Sequence, residues 1–300
     1  MHGKYIDPLI DFSFKKIFGS ESNKDLLIDL LNQIFREKKQ IIDLTINQNE
    51  NQGDTDDIGG VTFDLTCTGQ DGEIFLIEVQ RSNQVRLKQR MLCYGSRIIS
   101  DMVPKGEREN WAYKIPEVYV IVLLDGFALV DSPPDSHLHD ICLCYSETGK
   151  VFYEGYSYIF IEFCKFAKKE NELETGLDYW LYALKHASSK DDIPDFFEKP
   201  VFRKFFKIAE YSKLTKEEKE MYDTYLKRKW DYANALEFAR EDGKTKGIEE
   251  GIEKGIEKEK YQTIVKLIQK GMDDDFISDV TGTDINYISG IRKTYSDIIF

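Results

Sequence analysis

Phe63-Asp64-Leu65-Thr66-Cys67-Thr68-Gly69-Gln70-Asp71-Gly72-Glu73-Ile74-Phe75-Leu76-Ile77-Glu78-Val79-Gln80 is the stretch on which the fold turns. Val61, Phe63, Leu65 and Cys67 alternate with Thr62, Asp64 and Thr66, the period of a strand buried on one face. A second strand follows from Glu73 to Gln80, and Gln70-Asp71-Gly72 supplies the turn. The length of that turn decides the chemistry. If it is a three-residue loop with Gly72 left-handed, Gly69 pairs with Glu73, and Asp64 stands opposite Glu78 with Gln80 on the same face. A two-residue Asp71-Gly72 turn would put the two carboxylates on opposite faces, because a slip of one residue inverts every side chain.

The flanking sequence extends the hairpin into an α/β fold. Upstream, Leu26, Leu27, Leu30, Leu31, Ile34 and Phe35 recur at helical steps, and Ile41–Ile46 reads as a first edge strand. Asn47–Gly60 is rich in Asn, Asp and Gly and reads as loop. Downstream, Ser82–Met102 places Leu87, Met91, Tyr94, Ile98 and Met102 on one helical face, with Arg86, Arg90 and Arg97 on a neighbouring stripe. Pro116 then precedes Glu117–Leu124, an apolar, β-branched run suited to a strand buried on both faces. His139–Tyr145 and Tyr156–Phe163 can extend the sheet, and Leu173–Ala239 is helical and rich in aromatic residues. The expected architecture is a mixed central sheet flanked by helices.

The chain has 300 residues, 41% of them hydrophobic, and a net charge of −13 from 54 acidic and 41 basic side chains. A real core is affordable, so a fully disordered chain is excluded. The longest apolar run, Val118–Leu124, is far shorter than the ~20 residues of a membrane span, so no membrane partner is expected. Asp7 and Asp11 interrupt the N-terminal stretch, which lacks the pattern of a secretory signal, and a cytoplasmic location follows. Five cysteines without an export signal read as mostly buried thiols rather than a disulfide framework. The acidic balance argues against coating nucleic acid by bulk charge, yet Arg81–Arg108 holds seven basic and two acidic residues, a local +5.

Two facing carboxylates, with the Val79 backbone oxygen nearby, make a hard-oxygen site suited to Mg²⁺, with Mn²⁺ as a substitute. Such an ion activates water and neutralises charge on a phosphodiester. Taken alone, Asp64 followed fourteen residues later by Glu78-Val79-Gln80 equally fits the polar outer face of an ordinary hairpin. Further residues add weight: Asp11-Phe12-Ser13-Phe14-Lys15-Lys16-Ile17-Phe18-Gly19, Phe63-Asp64-Leu65, Ile77-Glu78-Val79-Gln80, Tyr94 within Arg90-Met91-Leu92-Cys93-Tyr94, and Ile159–Phe166. With the glycine-rich repeat near the end, they make the chain resemble the PD-(D/E)XK nuclease superfamily, and more closely its bacterial transposase-like, recombination-promoting branch.

That resemblance implies a restriction-endonuclease-like α/β core and a Mg²⁺-dependent DNA endonuclease. Asp64 and Glu78 would be metal ligands, and Asp64, Glu78 and Gln80 catalytic residues. Arg86, Lys88, Arg90 and Arg97 would contact DNA. Gln80 stands where the superfamily usually carries lysine, and an amide hydrogen-bonds water without supplying a cation. This branch commonly carries glutamine there. Arg81, Lys88 and Arg90 are the candidate replacements for the charge, and Asp11 is either a supporting acid or a turn aspartate. The alternative function is a catalytically inactive nuclease-fold protein that binds DNA or acts as an oligomeric scaffold.

The expected domain boundary falls at 240/241: residues 1–240 form the nuclease-like domain and 241–300 a helical C-terminal extension. The extension opens on a repeat with glycine at Gly243, Gly247, Gly251 and Gly255, either a weak, solvated helix or a close-approach stripe for a homodimer. Tyr261–Lys270, Asp275–Val280 and Asp284–Arg292 then read as three short helices. The last 28 residues hold six Asp against Arg292 and Lys293, which disfavours duplex binding there. His137-Leu138-His139-Asp140-Ile141-Cys142-Leu143-Cys144 has zinc-binding residue types, but strand parity sends the histidines and cysteines to opposite faces, and cysteines packed in the core are expected instead.

Overall fold

The computed structural model describes residues 3–47, 64–102 and 114–299, so the Val61–Phe63 half of the expected first hairpin strand lies outside the described residues. The chain divides into two compact units, Met1–Leu226 and Lys227–Phe300, a division that falls ahead of the expected boundary.

The first unit is built on six strands: β1 (Leu44–Asn47), β2 (Leu65–Gly69), β3 (Ile74–Gln80), β4 (Val118–Leu124), β5 (Leu138–Cys144) and β6 (Val151–Glu162), in the order β1-β2-β3-β4-β6-β5. β1, β2 and β3 pair antiparallel, β4 runs parallel to both β3 and β6, and β5 returns antiparallel on the edge. The fully apolar β4 sits in the middle of the parallel part, where both of its faces are covered.

Helices α1 (Asp11–Phe18), α2 (Lys24–Phe35), α4 (Gly176–His186) and α5 (Pro200–Ala209) cover one face of the sheet; α3 (Leu87–Asp101) covers the other. On the first face Phe75, Ile77, Ile121 and Ile159 meet Phe14, Leu27, Trp180 and Phe205. On the second, Leu76, Val120, Val122 and Phe160 meet Leu87, Met91 and Ile98 of α3. Most aromatic residues of the helical region belong to this core: Phe197, Phe202, Phe205, Phe206 and Tyr222 are buried.

Three expectations need correction. The first edge strand begins at Leu44 rather than Ile41, because the Asn32 side chain takes up both the N–H and the carbonyl of Ile41, at 2.7 and 2.8 Å. Only Cys67 is buried; Cys93, Cys142, Cys144 and Cys164 are exposed, and all five are free thiols. Cys142 and Cys144 lie on the edge strand, whose outer half no described layer covers. Finally, helix α6 (Lys216–Gln269) runs without a break through the glycine repeat, and the first of the three short C-terminal helices is its last turns.

In the second unit Ile264 and Ile268 of α6 pack with Ile277 of α7 (Asp274–Thr281) and with Ile288 and Ile291 of α8 (Ile285–Ile299). Asp273 caps α7 by accepting the Phe276 N–H at 2.7 Å, and Gly282, at φ +60°, ends it.

Candidate active site

The turn takes the three-residue form. Gly69 N–H donates to the Glu73 carbonyl at 2.8 Å, Gly72 N–H donates to the Gly69 carbonyl at 3.1 Å, and Gly72 has φ +85°. The ladder pairs Thr68 with Ile74 and Leu65 with Ile77, so the next pair along is Asp64 and Glu78. They share the α3 face of the sheet with Gln80.

Asp64 is held from β3: Val79 N–H donates to its Oδ2 at 2.7 Å, while its own N–H donates to Glu78 Oε1 at 3.2 Å. Gln80 Nε2 donates to Glu78 Oε2 at 3.1 Å. Glu78 and Gln80 are both buried. Burial, then the charges of Glu78 and Asp11, push the Asp64 carboxyl far above the usual carboxylate range. Burial also raises Glu78, against the opposing pull of the Asp64 N–H, Arg90 and Gln80. As anions the pair is disfavoured by burial and by the negative charges gathered there.

Helix α1 brings Asp11 close enough for its charge to act on both carboxylates. Lys15, one turn on, pairs with Asp11 at 2.9 Å and feels the charge of Asp64. Sequence reasoning missed Lys15; its spacing of four from Asp11 was the available signal.

The candidate cations separate in the structure. Arg81 Nη2 bridges Asp7 and Asp125 at 2.7 and 2.9 Å, and Lys88 pairs with Asp131 at 2.5 Å. Arg90 turns inward, its Nη2 3.4 Å from Glu78 Oε2 and its guanidinium 5.2 Å from the centre of the Tyr94 ring. Of the four residues expected on DNA, Arg86, Lys88 and Arg97 are exposed and Arg90 is half-buried. Arg97 is paired with Asp101 at 2.9 Å. His139, from the set-aside zinc motif, lies 3.2 Å from Glu162.

Among the described residues no group of three or more His, Cys, Asp or Glu is gathered to hold a metal ion. Mg²⁺ needs no such cage; it takes one or two carboxylates and keeps its waters. A half-buried and a buried carboxylate side by side, each disfavoured as an anion, are the donor set a divalent cation would relieve, so the residues present fit such an ion.

A mixed six-stranded sheet flanked by helices, with paired acids on the antiparallel hairpin beside its parallel centre, defines the PD-(D/E)XK class of α/β fold. The chain belongs within that class to the PD-(D/E)XK nuclease family transposases, a family that matches residues 8–239. Neither curated proteins nor solved structures give a significant match to it.

Proposed function

We propose that the protein is a Mg²⁺-dependent DNA endonuclease, able to use Mn²⁺, that hydrolyses phosphodiester bonds in recombination. The observation that carries this reading is the pairing of half-buried Asp64 with buried Glu78, with Gln80 hydrogen-bonded at its side. Asp64 and Glu78 would hold the cation, which supplies positive charge at the scissile phosphate and acidifies water. Gln80, its amide nitrogen engaged by Glu78, has its amide oxygen as acceptor for a water proton. Arg86, Lys88 and Arg97, exposed on and beside α3, would meet the DNA backbone, Lys88 and Arg97 by exchanging Asp131 and Asp101 for phosphate. Among the described residues no helix is long and apolar enough to cross a membrane, and the reading places the chain with its DNA in the cytoplasm.

Self-association through α6 accompanies this reading. A Cβ built on Gly243, Gly247, Gly251 or Gly255 meets nothing within 4 Å, and Ile248, Ile252 and Ile256 beside them are exposed. A second reading, an inactive DNA-binding scaffold, draws on the glutamine at position 80.

Incubation of supercoiled plasmid with the purified chain in Mg²⁺, Mn²⁺ or EDTA tests the proposal, with Asp64→Ala and Glu78→Ala variants of confirmed fold alongside. Metal-dependent nicking lost in both variants is the expected result. Nicking that persists equally in the variants assigns it to another site, and absence of nicking by the parent chain favours the scaffold.

A further inference from the structure

We infer that Arg90 supplies the positive charge that Gln80, standing at the usual lysine position, does not. The inference rests on the nuclease reading of Asp64 and Glu78 and adds a positioning residue from a different element. Arg90 lies in the first turn of α3, and side chains of a helix lean back over the turn before them, here toward the end of β3. Leu87 and Met91, both buried against the sheet, fix that turn.

The guanidinium has several anchors. Nη2 approaches Glu78 Oε2 at 3.4 Å, Nη1 donates to Gln84 Oε1 at 2.7 Å, and the Tyr94 ring lies 5.2 Å from it. Its Nε is buried with no hydrogen-bond partner among the described residues, a donor still to be matched. The other two candidates are committed elsewhere, Arg81 between Asp7 and Asp125 and Lys88 to Asp131.

Arginine stays protonated, so Arg90 does not act as a base; it offers fixed positive charge and a planar fork of donors to Glu78 and to an incoming phosphate. The position also has a cost that can be read. A cation touching a metal ligand repels the metal, so removing it tightens divalent-ion binding while weakening catalysis.

Arg90→Ala and Arg90→Lys, each checked for native circular dichroism, would be compared with the parent chain by calorimetric titration with Mn²⁺ and by single-turnover cleavage at saturating DNA. In Arg90→Ala we expect Mn²⁺ to bind about threefold or more tighter. Cleavage falls about 100-fold at nearly unchanged DNA affinity. Arg90→Lys restores part of both, and Glu78→Gln removes the tightening when combined with Arg90→Ala.

Unchanged Mn²⁺ affinity overturns the inference. So does a loss confined to DNA affinity, with a shallower salt dependence and normal cleavage once DNA saturates, because that is the signature of a plain phosphate contact. If the parent chain does not cleave DNA, the nuclease reading fails by itself, while the Mn²⁺ titration still decides whether Arg90 guards Glu78.

Discussion

Asp64 and Glu78 face each other across the β2–β3 pair, the N–H of Asp64 donating to Glu78 Oε1 at 3.2 Å, and both carboxyl groups are raised by burial. An acid with a folded-state pKa above its unfolded value binds its proton more tightly in the fold, so the fold loses stability as pH rises from the unfolded value toward the folded one. Asp64→Asn keeps an acceptor for the Val79 N–H and removes the charge. In EDTA at about pH 8 the variant should be more stable than the parent by on the order of 1–3 kcal/mol, and the gain should vanish near about pH 4, where the parent is protonated too. Thermal melts at the two pH values check it; a variant less stable at both refutes the electrostatic account.

The register that creates this pair depends on Gly72, at φ +85° with nothing within 4 Å of an added Cβ. The cost of a side chain there is conformational rather than steric. Gly72→Val should lose about 1–2 kcal/mol in urea unfolding, and Gly72→Asn much less, since asparagine tolerates the left-handed region. Equal losses would show that the turn is not what the glycine serves.

Gly95 sets how closely α3 approaches the sheet. An added Cβ would fall 1.9 Å from the Tyr156 hydroxyl oxygen and 2.9 Å from its ring carbon, and Tyr156 is buried and hydrogen-bonded to Tyr158. Gly95→Ala therefore forces the ring or the helix to shift, at a cost of about 1–3 kcal/mol. Tyr156→Phe in the same chain should recover part of that loss. A double-mutant cycle in urea measures the coupling, and additive losses would mean the hydroxyl is not the obstacle.

The succession of strands along the chain and the facing acids were legible because they follow from local rules. Alternation fixed the faces of β3, a β-branched apolar run marked β4, and a glycine in the loop that places Gly69 opposite Glu73 carried the register. What stayed hidden depends on partners far along the chain. Nothing near Arg81 or Lys88 in sequence announces Asp7 or Asp131, so the sequence could not choose Arg90 over them as the cation beside Glu78. The exposure of Cys142 and Cys144 was hidden for a similar reason: whether a strand is central or at the edge is set by sheet order, to which its own apolar content is blind.

Asp178 offers a pH test away from the candidate site. It caps α4 with Thr175, accepting the Thr175 and Glu174 N–H groups at 2.9 and 3.2 Å and Lys168 Nζ at 2.9 Å. Burial alone would raise its carboxyl, but Lys168 and these N–H donors outweigh that and hold it down at about 2. For an acid lowered in the fold, the stabilisation is complete above the unfolded value of 3.8 and is lost as pH falls toward the folded value of about 2. Asp178→Asn should therefore be less stable than the parent by about 1–2 kcal/mol at neutral pH, and the gap should shrink below about pH 4 as the parent carboxyl protonates. Urea unfolding of both proteins across that range reads the difference directly, and a gap that stays constant into acid would mean that Asp178 acts through shape alone.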